Sequence, residues 1–158
     1  MQNKFNLVVI LDNIRSTYNV GAIFRTADAA GVSKIYLCGI TPSPPNPKIS
    51  KVALGAEKFL PWEKRKNTWR LLEQLKQEGY FIIALEQGKN SKDIFQAPSK
   101  MFKKKKLGLI LGPEIKGLSF KILKRTDWQL EIPMSGQKES LNVAVAFGIA
   151  VYQMRNLL

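Results

Sequence analysis

Residues 107–119 read LGLILGPEIKGLS, an uninterrupted apolar run followed by a loop with a glycine near each end. A short apolar run predicts a strand that is buried on both faces, because a half-exposed strand would alternate polar and apolar residues. Strands of that kind occur in parallel sheets that helices cover on both sides. Ligands of open parallel sheets bind beyond the carboxyl ends of the strands, so the loop at 112–118 is a candidate site.

The rest of the chain repeats this alternation of apolar runs and helical segments. Further strands are predicted at residues 5–11, 34–37, 80–85 and 128–132. Helices are predicted at residues 20–30, 67–78, 120–124 and 141–158. Asn19 is the expected N-cap of the first helix, and Ser140 that of the last. The fold class is therefore α/β, a mostly parallel sheet flanked by helices, and residues 1–158 are expected to form a single domain.

Charge gives the first indication of a partner. The sequence holds 25 Lys and Arg residues against 12 Asp and Glu residues, a formal net charge of +13. Such a field attracts polyanions, whereas no basic amphipathic helix points to a membrane. A Lys-rich, solubilising surface is the alternative interpretation. The basic residues predicted to contact RNA are Arg15, Arg25, Lys48, Lys51, Lys103, Lys104, Lys105 and Lys106.

Missing residue types exclude several kinds of chemistry. The chain has no histidine and one cysteine, Cys38. A Ser-His-Asp triad, a histidine-ligated metal and a thiolate zinc site are therefore excluded, and no metal is expected. No apolar run is long enough to span a bilayer, and no signal peptide is recognised at the start. A cytoplasmic protein that does not associate with membranes is the simplest expectation.

The segment at 19–27, NVGAIFRTA, combines small residues with one fixed cation. Gly21 and Ala22 permit the close approach of a backbone or a ligand. Arg25 has the planar donor fork that suits phosphate. A tightly packed helix with a solvated arginine explains the same residues equally well.

The loop at 112–118, GPEIKGL, has the glycine spacing of a phosphate-binding loop. Leu118 stands where such a loop requires lysine, and Glu114 would place an anion beside the phosphates. A nucleotide triphosphatase is therefore disfavoured. The loop suits a neutral or zwitterionic ligand better, because its backbone can turn sharply against such a molecule.

The segment at 132–143, IPMSGQKESLNV, leads from a strand end through a polar loop into the last helix. Ser140 as a simple N-cap is one interpretation, although helix starts also bind polar ligands. Asn142 needs a hydrogen-bond partner if the first turn of this apolar helix is buried.

These three segments, in this order, resemble the SpoU/TrmH branch of the SPOUT RNA methyltransferases. The family motif N-x-G-x-x-x-R-T-A matches residues 19–27, and L-G-x-E-x-x-G-L matches residues 111–118. The third motif, I-P-M followed by S-L-N-V-x-V-A, matches residues 132–134 and 140–146. The resemblance spans roughly residues 7–153, essentially the whole chain.

The resemblance implies an α/β sheet with a C-terminal trefoil knot, the SPOUT fold, and S-adenosylmethionine as the cofactor. It implies a homodimer that methylates a ribose 2′-hydroxyl in structured RNA, with tRNA favoured and rRNA possible. Many larger relatives carry a separate substrate-binding domain, but 158 residues leave little length for one, so none is expected here. A non-catalytic RNA-binding or ribosome-assembly protein that retains the fold is the alternative. The implied cofactor-binding residues are Leu85, Glu86, Gly112, Ile132, Met134, Ser140 and Leu141.

Catalysis in the family is assigned to the motif arginine, which corresponds to Arg25. The supporting residues correspond to Asn19, Glu114, Ser140 and Asn142. A guanidinium group rarely gives up its proton, so a literal arginine base is costly. We therefore expect Arg25 to anchor a phosphate and stabilise the developing alkoxide, with the proton passing to solvent or a neighbouring carboxylate.

Overall fold

Seven strands and six α-helices alternate along residues 5–103 and 106–158, the part of the chain that the computed structural model describes. In chain order they are β1 (Leu7–Asp12), α1 (Thr17–Ala30), β2 (Lys34–Cys38), α2 (Pro47–Ala53), α3 (Ala56–Phe59), β3 (Trp62–Arg65), α4 (Thr68–Gln77), β4 (Tyr80–Leu85), β5 (Lys92–Asp93), β6 (Lys106–Leu111), α5 (Phe120–Leu123), β7 (Trp128–Glu131) and α6 (Val143–Asn156). Within these residues, no helix has the length and apolar character needed to cross a bilayer.

The strand order is β3-β2-β1-β6-β4-β7-β5, and every pairing among the described residues is parallel. Strand β6, which carries the run at 107–111, lies between β1 and β4 at the centre of the sheet. Its Leu109 is the register partner of both Val9 and Ile83. The prediction of a parallel sheet flanked by helices is thus confirmed. The trefoil knot stays a prediction.

Alternate residues of the strands serve two separate cores, because successive side chains point to opposite faces of a sheet. Leu7, Val9 and Leu11 pack with residues of α1, α2 and α6 on one face. Val8 and Ile10 pack with residues of α4 and α5 on the other. The sheet is therefore covered on both sides, which explains why its central strands are apolar throughout.

Two helices have N-caps other than those predicted from the sequence. Helix α1 starts one turn earlier, and Ser16 is its N-cap, whose Oγ accepts a hydrogen bond from the amide of Asn19 at 3.2 Å. Helix α6 starts later, with Asn142 as its N-cap in place of Ser140. Both predicted caps were wrong for the same reason: a polar residue just upstream or downstream satisfies the free amides equally well. The side chains of Asn19 and Ser140 are consequently available for other contacts.

Asp12, the last residue of β1, is a buried carboxylate. Its Oδ1 accepts a hydrogen bond from Thr68 Oγ1 at 2.6 Å. Burial raises the pKa of Asp12 above its ordinary value, and the hydrogen bond from Thr68 opposes that rise only in part. Folding therefore shifts this carboxyl toward its protonated form, and its ionisation costs more free energy in the folded chain than in the unfolded one.

We expect Asp12→Asn to raise the melting temperature near neutral pH, because the amide keeps an acceptor for Thr68 without a buried charge. A group with a raised folded pKa contributes stability below its unfolded pKa and loses it as the pH rises through the folded value. The advantage of the variant should therefore grow as the pH is raised from about 4 toward neutral, and each kcal/mol of added stability should raise the melting temperature by roughly 2–4 °C. Melting curves of both proteins over this range would contradict the assignment if the difference stayed constant or shrank.

Candidate active site

A cavity of about 390 Å³ opens at the carboxyl ends of β4, β6 and β7. Its volume falls within the roughly 300–1,000 Å³ that is usual for small-molecule sites. The residues predicted to bind the cofactor all line it: Leu85, Glu86, Gly112, Ile132, Met134, Ser140 and Leu141. Three loops that are far apart in the sequence thus meet at one cavity, while the binding role of these residues stays a prediction.

The loop at 112–118 forms one wall of this cavity and is held in a tight turn. Glu86 Oε2 accepts a hydrogen bond from the backbone amide of Leu118 at 2.7 Å. Gly117 has a φ of 65°, and a Cβ at that position would lie 2.8 Å from Glu86 Oε2. A Cβ on Gly112 would lie 2.7 Å from Leu118 Cδ2 and 3.0 Å from its backbone nitrogen. Both glycines are therefore needed for the loop to fold back on itself. The Glu86 carboxylate stabilises this turn as a hydrogen-bond acceptor.

A hydrogen-bonded network of three polar side chains joins α1, this loop and the start of α6. Asn19 Nδ2 donates to Glu114 Oε1 at 2.6 Å, and Asn142 Nδ2 donates to Asn19 Oδ1 at 3.1 Å. Asn142 Oδ1 accepts from the backbone amides of Ala144 and Val145 at 2.9 and 3.2 Å. Asn19 is only 5% exposed, whereas Glu114 is exposed. The network therefore holds the Glu114 carboxylate from the protein side and leaves it accessible from outside.

The two remaining residues that the resemblance implies for catalysis lie apart from this network. Ser140 is exposed and lines the cavity. Arg25 is exposed on α1 and lines a different depression of about 550 Å³, together with Lys48 and Lys51 of α2. Within the described residues of one chain, Arg25 is thus grouped with other cations and not with Glu114.

The other residues predicted to contact RNA are dispersed. Arg15 lines a second cavity, of about 580 Å³, which shares the segment 113–116 with the first. Lys103 is exposed, and Lys106 donates from Nζ to the carbonyl oxygen of Glu78 at 3.1 Å. Lys104 and Lys105 lie outside the described residues.

The charge of the first cavity limits what it can hold. Its lining contains four carboxylates against a single lysine, Lys116. The carboxylates belong to Glu86, Glu114, Glu131 and Glu139. Such a lining repels polyphosphates and favours a ligand with positive charge. The apolar side chains of Leu85, Ile132 and Leu141 offer a surface for an aromatic ring.

Sequence reasoning missed several residues of the cavity. Glu131 ends β7 and contributes a carboxylate, and Leu111 ends β6. The rule that sites lie at the carboxyl ends of parallel strands would have found both. Val143 and Ala146 reach the cavity from α6 and look like ordinary core residues in the sequence, so no local pattern distinguishes them.

The parallel sheet and its cavity define an α/β protein whose site beyond the strand ends, beside a carboxylate-amide network, suits a small, positively charged or zwitterionic ligand. The family model described as "SpoU rRNA Methylase family" matches residues 6–152. The chain belongs to that family, as the resemblance predicted.

Known RNA methyltransferases are similar to this chain in sequence and in structure. The 23S rRNA (guanosine(2553)-2'-O)-methyltransferase RlmP of Bacillus subtilis is 36% identical over 150 residues, which cover 94% of this chain and 57% of RlmP. The AdoMet-bound rRNA methyltransferase of Sinorhizobium meliloti superposes with a TM-score of 0.90 at 30% identity, covering 99% of this chain and 58% of that one.

One solved structure is similar over nearly the full length of both chains. It is described as "Structural insights into the 2-OH methylation of C/U34 on tRNA", with a TM-score of 0.81 and 25% identity. The match covers 96% of this chain and 95% of that one. The first relatives are longer: this chain spans 59% and 60% of the length of two of them.

Proposed function

We propose that the chain transfers a methyl group from S-adenosylmethionine to a ribose 2′-hydroxyl of structured RNA, with tRNA favoured over rRNA. One observation carries the proposal: the cavity at the strand ends adjoins an accessible carboxylate, Glu114, that a buried amide, Asn19, holds in place. Family membership supports the same reaction class. Residues 1–158 would act as one catalytic domain that carries its own RNA-binding surface.

S-adenosylmethionine supplies a methyl group on a positively charged sulfur, so the reaction needs no metal to activate the donor. The lining of the cavity fits such a molecule, because its excess of carboxylates balances the positive charge. Leu85, Ile132 and Leu141 would enclose the adenine ring. The closely packed loop at 112–118 would fix the methyl group in one direction and exclude water from one side of it.

Glu114 is the residue of this chain best placed to receive the hydroxyl proton. Its carboxylate is exposed, and Asn19 engages Oε1. A hydroxyl approaching from outside would donate to the remaining oxygen, which orients its own oxygen for attack. Asn142 supports this arrangement through Asn19 and anchors it to the start of α6.

A second copy of the chain would bring Arg25 to the reacting ribose. Within one chain it lines a depression separate from the Glu114 cavity. Helices α1 and α6 pack together, and the side chains of Tyr18, Val145 and Tyr152 on them are exposed. Exposed apolar side chains of this kind suit a symmetric interface. We therefore propose a homodimer in which Arg25 of one copy serves the cavity of the other.

The preference for tRNA rests on one structural similarity. A structure described with 2-OH methylation of C/U34 on tRNA superposes on this chain with a TM-score of 0.81 at 25% identity. RlmP, which is named for 23S rRNA, keeps rRNA as the second candidate.

The test is incubation of the purified protein with S-adenosylmethionine labelled in the methyl group, together with total RNA from a related cell. We expect label in RNA, resistance of the adjacent phosphodiester to alkaline cleavage, and a single modified ribose in tRNA. Label found in rRNA alone would show that the substrate is rRNA and not tRNA. Cofactor binding without transfer to any RNA would favour the assembly protein, and label on a base would contradict ribose methylation.

A further inference from the structure

Three cationic side chains surround one aromatic ring on the face of the sheet opposite α1. Lys121 Nζ, Arg125 Cζ and Arg70 Cζ lie 4.5, 5.1 and 5.3 Å from the centroid of the Trp69 ring. Trp69 and Arg70 belong to α4, whereas Lys121 and Arg125 lie in α5 and just after it. We call these four residues the Trp69 cluster.

The positive charge of the Trp69 cluster is only partly balanced. Arg125 Nε pairs with Glu73 Oε1 at 3.0 Å. Among residues 5–103 and 106–158, Arg70 and Lys121 have no carboxylate oxygen within 4.0 Å. The cations around Tyr36 differ, because Lys34 and Arg65 both pair with Glu63, at 2.8 and 2.6 Å. The Trp69 cluster therefore retains a net positive charge.

The three cations act together on any approaching anion. Each lies within 5.3 Å of the same ring centroid, so any two lie no more than about 10 Å apart, roughly one Debye length at 0.1 M salt. The indole face attracts cations and offsets part of their mutual repulsion. Arg70 and Lys121 are exposed, so their donors remain accessible to phosphate oxygens.

We infer that the Trp69 cluster is an RNA-docking surface, separate from the cavity and from the Arg25 depression, that binds backbone phosphates of the substrate. This inference rests on the proposed function for the identity of the polyanion. Residues of α4 and α5 pack against Val8 and Ile10, whereas residues of α1 and α2 pack against the opposite face. The substrate would thus be held on both faces of the sheet, with the cavity at the strand ends between them.

Trp69 itself is a positioning residue. Its ring is half-buried against the core and contacts the cations. Arg125 also donates from Nη1 to the carbonyl oxygen of Lys121 at 2.8 Å, which fixes its guanidinium beside the ring. The geometry therefore depends on an aromatic ring at position 69 as well as on the charges.

The experiment compares the triple variant R70Q/K121Q/R125Q with a control that loses the same charge elsewhere, K58Q/K89Q/K100Q, whose three lysines are exposed. Affinity for bulk tRNA is measured by filter binding over a series of salt concentrations. We expect the triple variant to bind roughly tenfold more weakly near 0.1 M salt, with a salt slope lower by about 2–3, because each phosphate contact releases counterions. The control should change both values far less.

Two further measurements separate a binding role from a structural one. R70K/R125K should keep the salt slope, and W69F should bind RNA better than W69L, while melting temperatures and affinity for S-adenosylmethionine stay near wild type. A triple variant with the slope of its control would overturn the docking surface and leave the proposed function intact. Failure of the wild-type protein to bind any RNA would overturn both.

Discussion

Replacing Arg25 by Ala should lower the rate of methyl transfer by roughly 10²–10³-fold or more while leaving the affinity for S-adenosylmethionine nearly unchanged. The first part follows because a fixed cation that stabilises developing charge contributes on this scale. The second follows because Arg25 does not line the cavity proposed for the cofactor. Single-turnover rates and calorimetric titrations measure the two quantities separately.

Lys48→Ala and Lys51→Ala are the matched controls, since both lysines line the same depression as Arg25. They should weaken RNA binding and leave the rate at saturating RNA nearly unaffected. Equal loss of cofactor affinity and rate in Arg25→Ala would mean that the arginine is structural.

Asn19→Asp should lower the rate by roughly 100-fold although it changes neither the size nor the shape of the side chain. The native amide donates to Glu114 at 2.6 Å, whereas a carboxylate there would oppose Glu114 with a second negative charge. The hydrogen bond from Asn142 to Oδ1 would survive. Because Glu114 is exposed and can turn away, we expect the carboxylate to lose its orientation. Since position 19 is only 5% exposed, the new charge should also lower the melting temperature, so rates are compared well below it.

Asn142→Asp is the control for this change. It keeps the oxygen that caps α6 and removes only the donor to Asn19, so its effect should be smaller. If Asn19→Asp retained full activity, the network would have no part in catalysis.

Mixing the two inactive chains tests whether the site is shared between copies. A dimer of one Arg25→Ala chain and one Asn19→Asp chain would contain one complete site if Arg25 serves the partner's cavity. An equimolar mixture, unfolded and refolded together, should then recover about a quarter of wild-type activity. Activity no higher than that of the separate variants would contradict a shared site.

The sequence predicted the central sheet because residues 107–111 and 80–85 are short runs that are apolar throughout, which is typical of strands buried on both faces. It did not predict β3, because the residues Trp-Glu-Lys-Arg are mostly polar. This strand lies at the edge of the sheet and pairs with β2 alone, so its polar side chains can remain partly exposed. Helices α2 and α3 were missed for a similar reason, since both are short and depend on packing against α1.

The sequence allowed us to predict which loops form the candidate site, but not which of their side chains contact one another. Predicted strand ends at 85, 111 and 132 pointed to one edge of the sheet, and family motifs pointed to Asn19, Glu114 and Asn142. That these three side chains form one hydrogen-bonded network depends on how α1 and α6 pack, which no local pattern encodes. The grouping of Arg25 with Lys48 and Lys51 likewise follows from the packing of α1 on α2.

The most direct measurement is a crystal structure of the protein grown with S-adenosylhomocysteine, the demethylated form of the proposed methyl donor. We predict that the molecule lies in the cavity bounded by Glu86, Gly112 and Leu141, with its sulfur directed toward Glu114. An occupied site elsewhere, or a cavity that stays empty at saturating concentration while its backbone groups bond to one another, would contradict it.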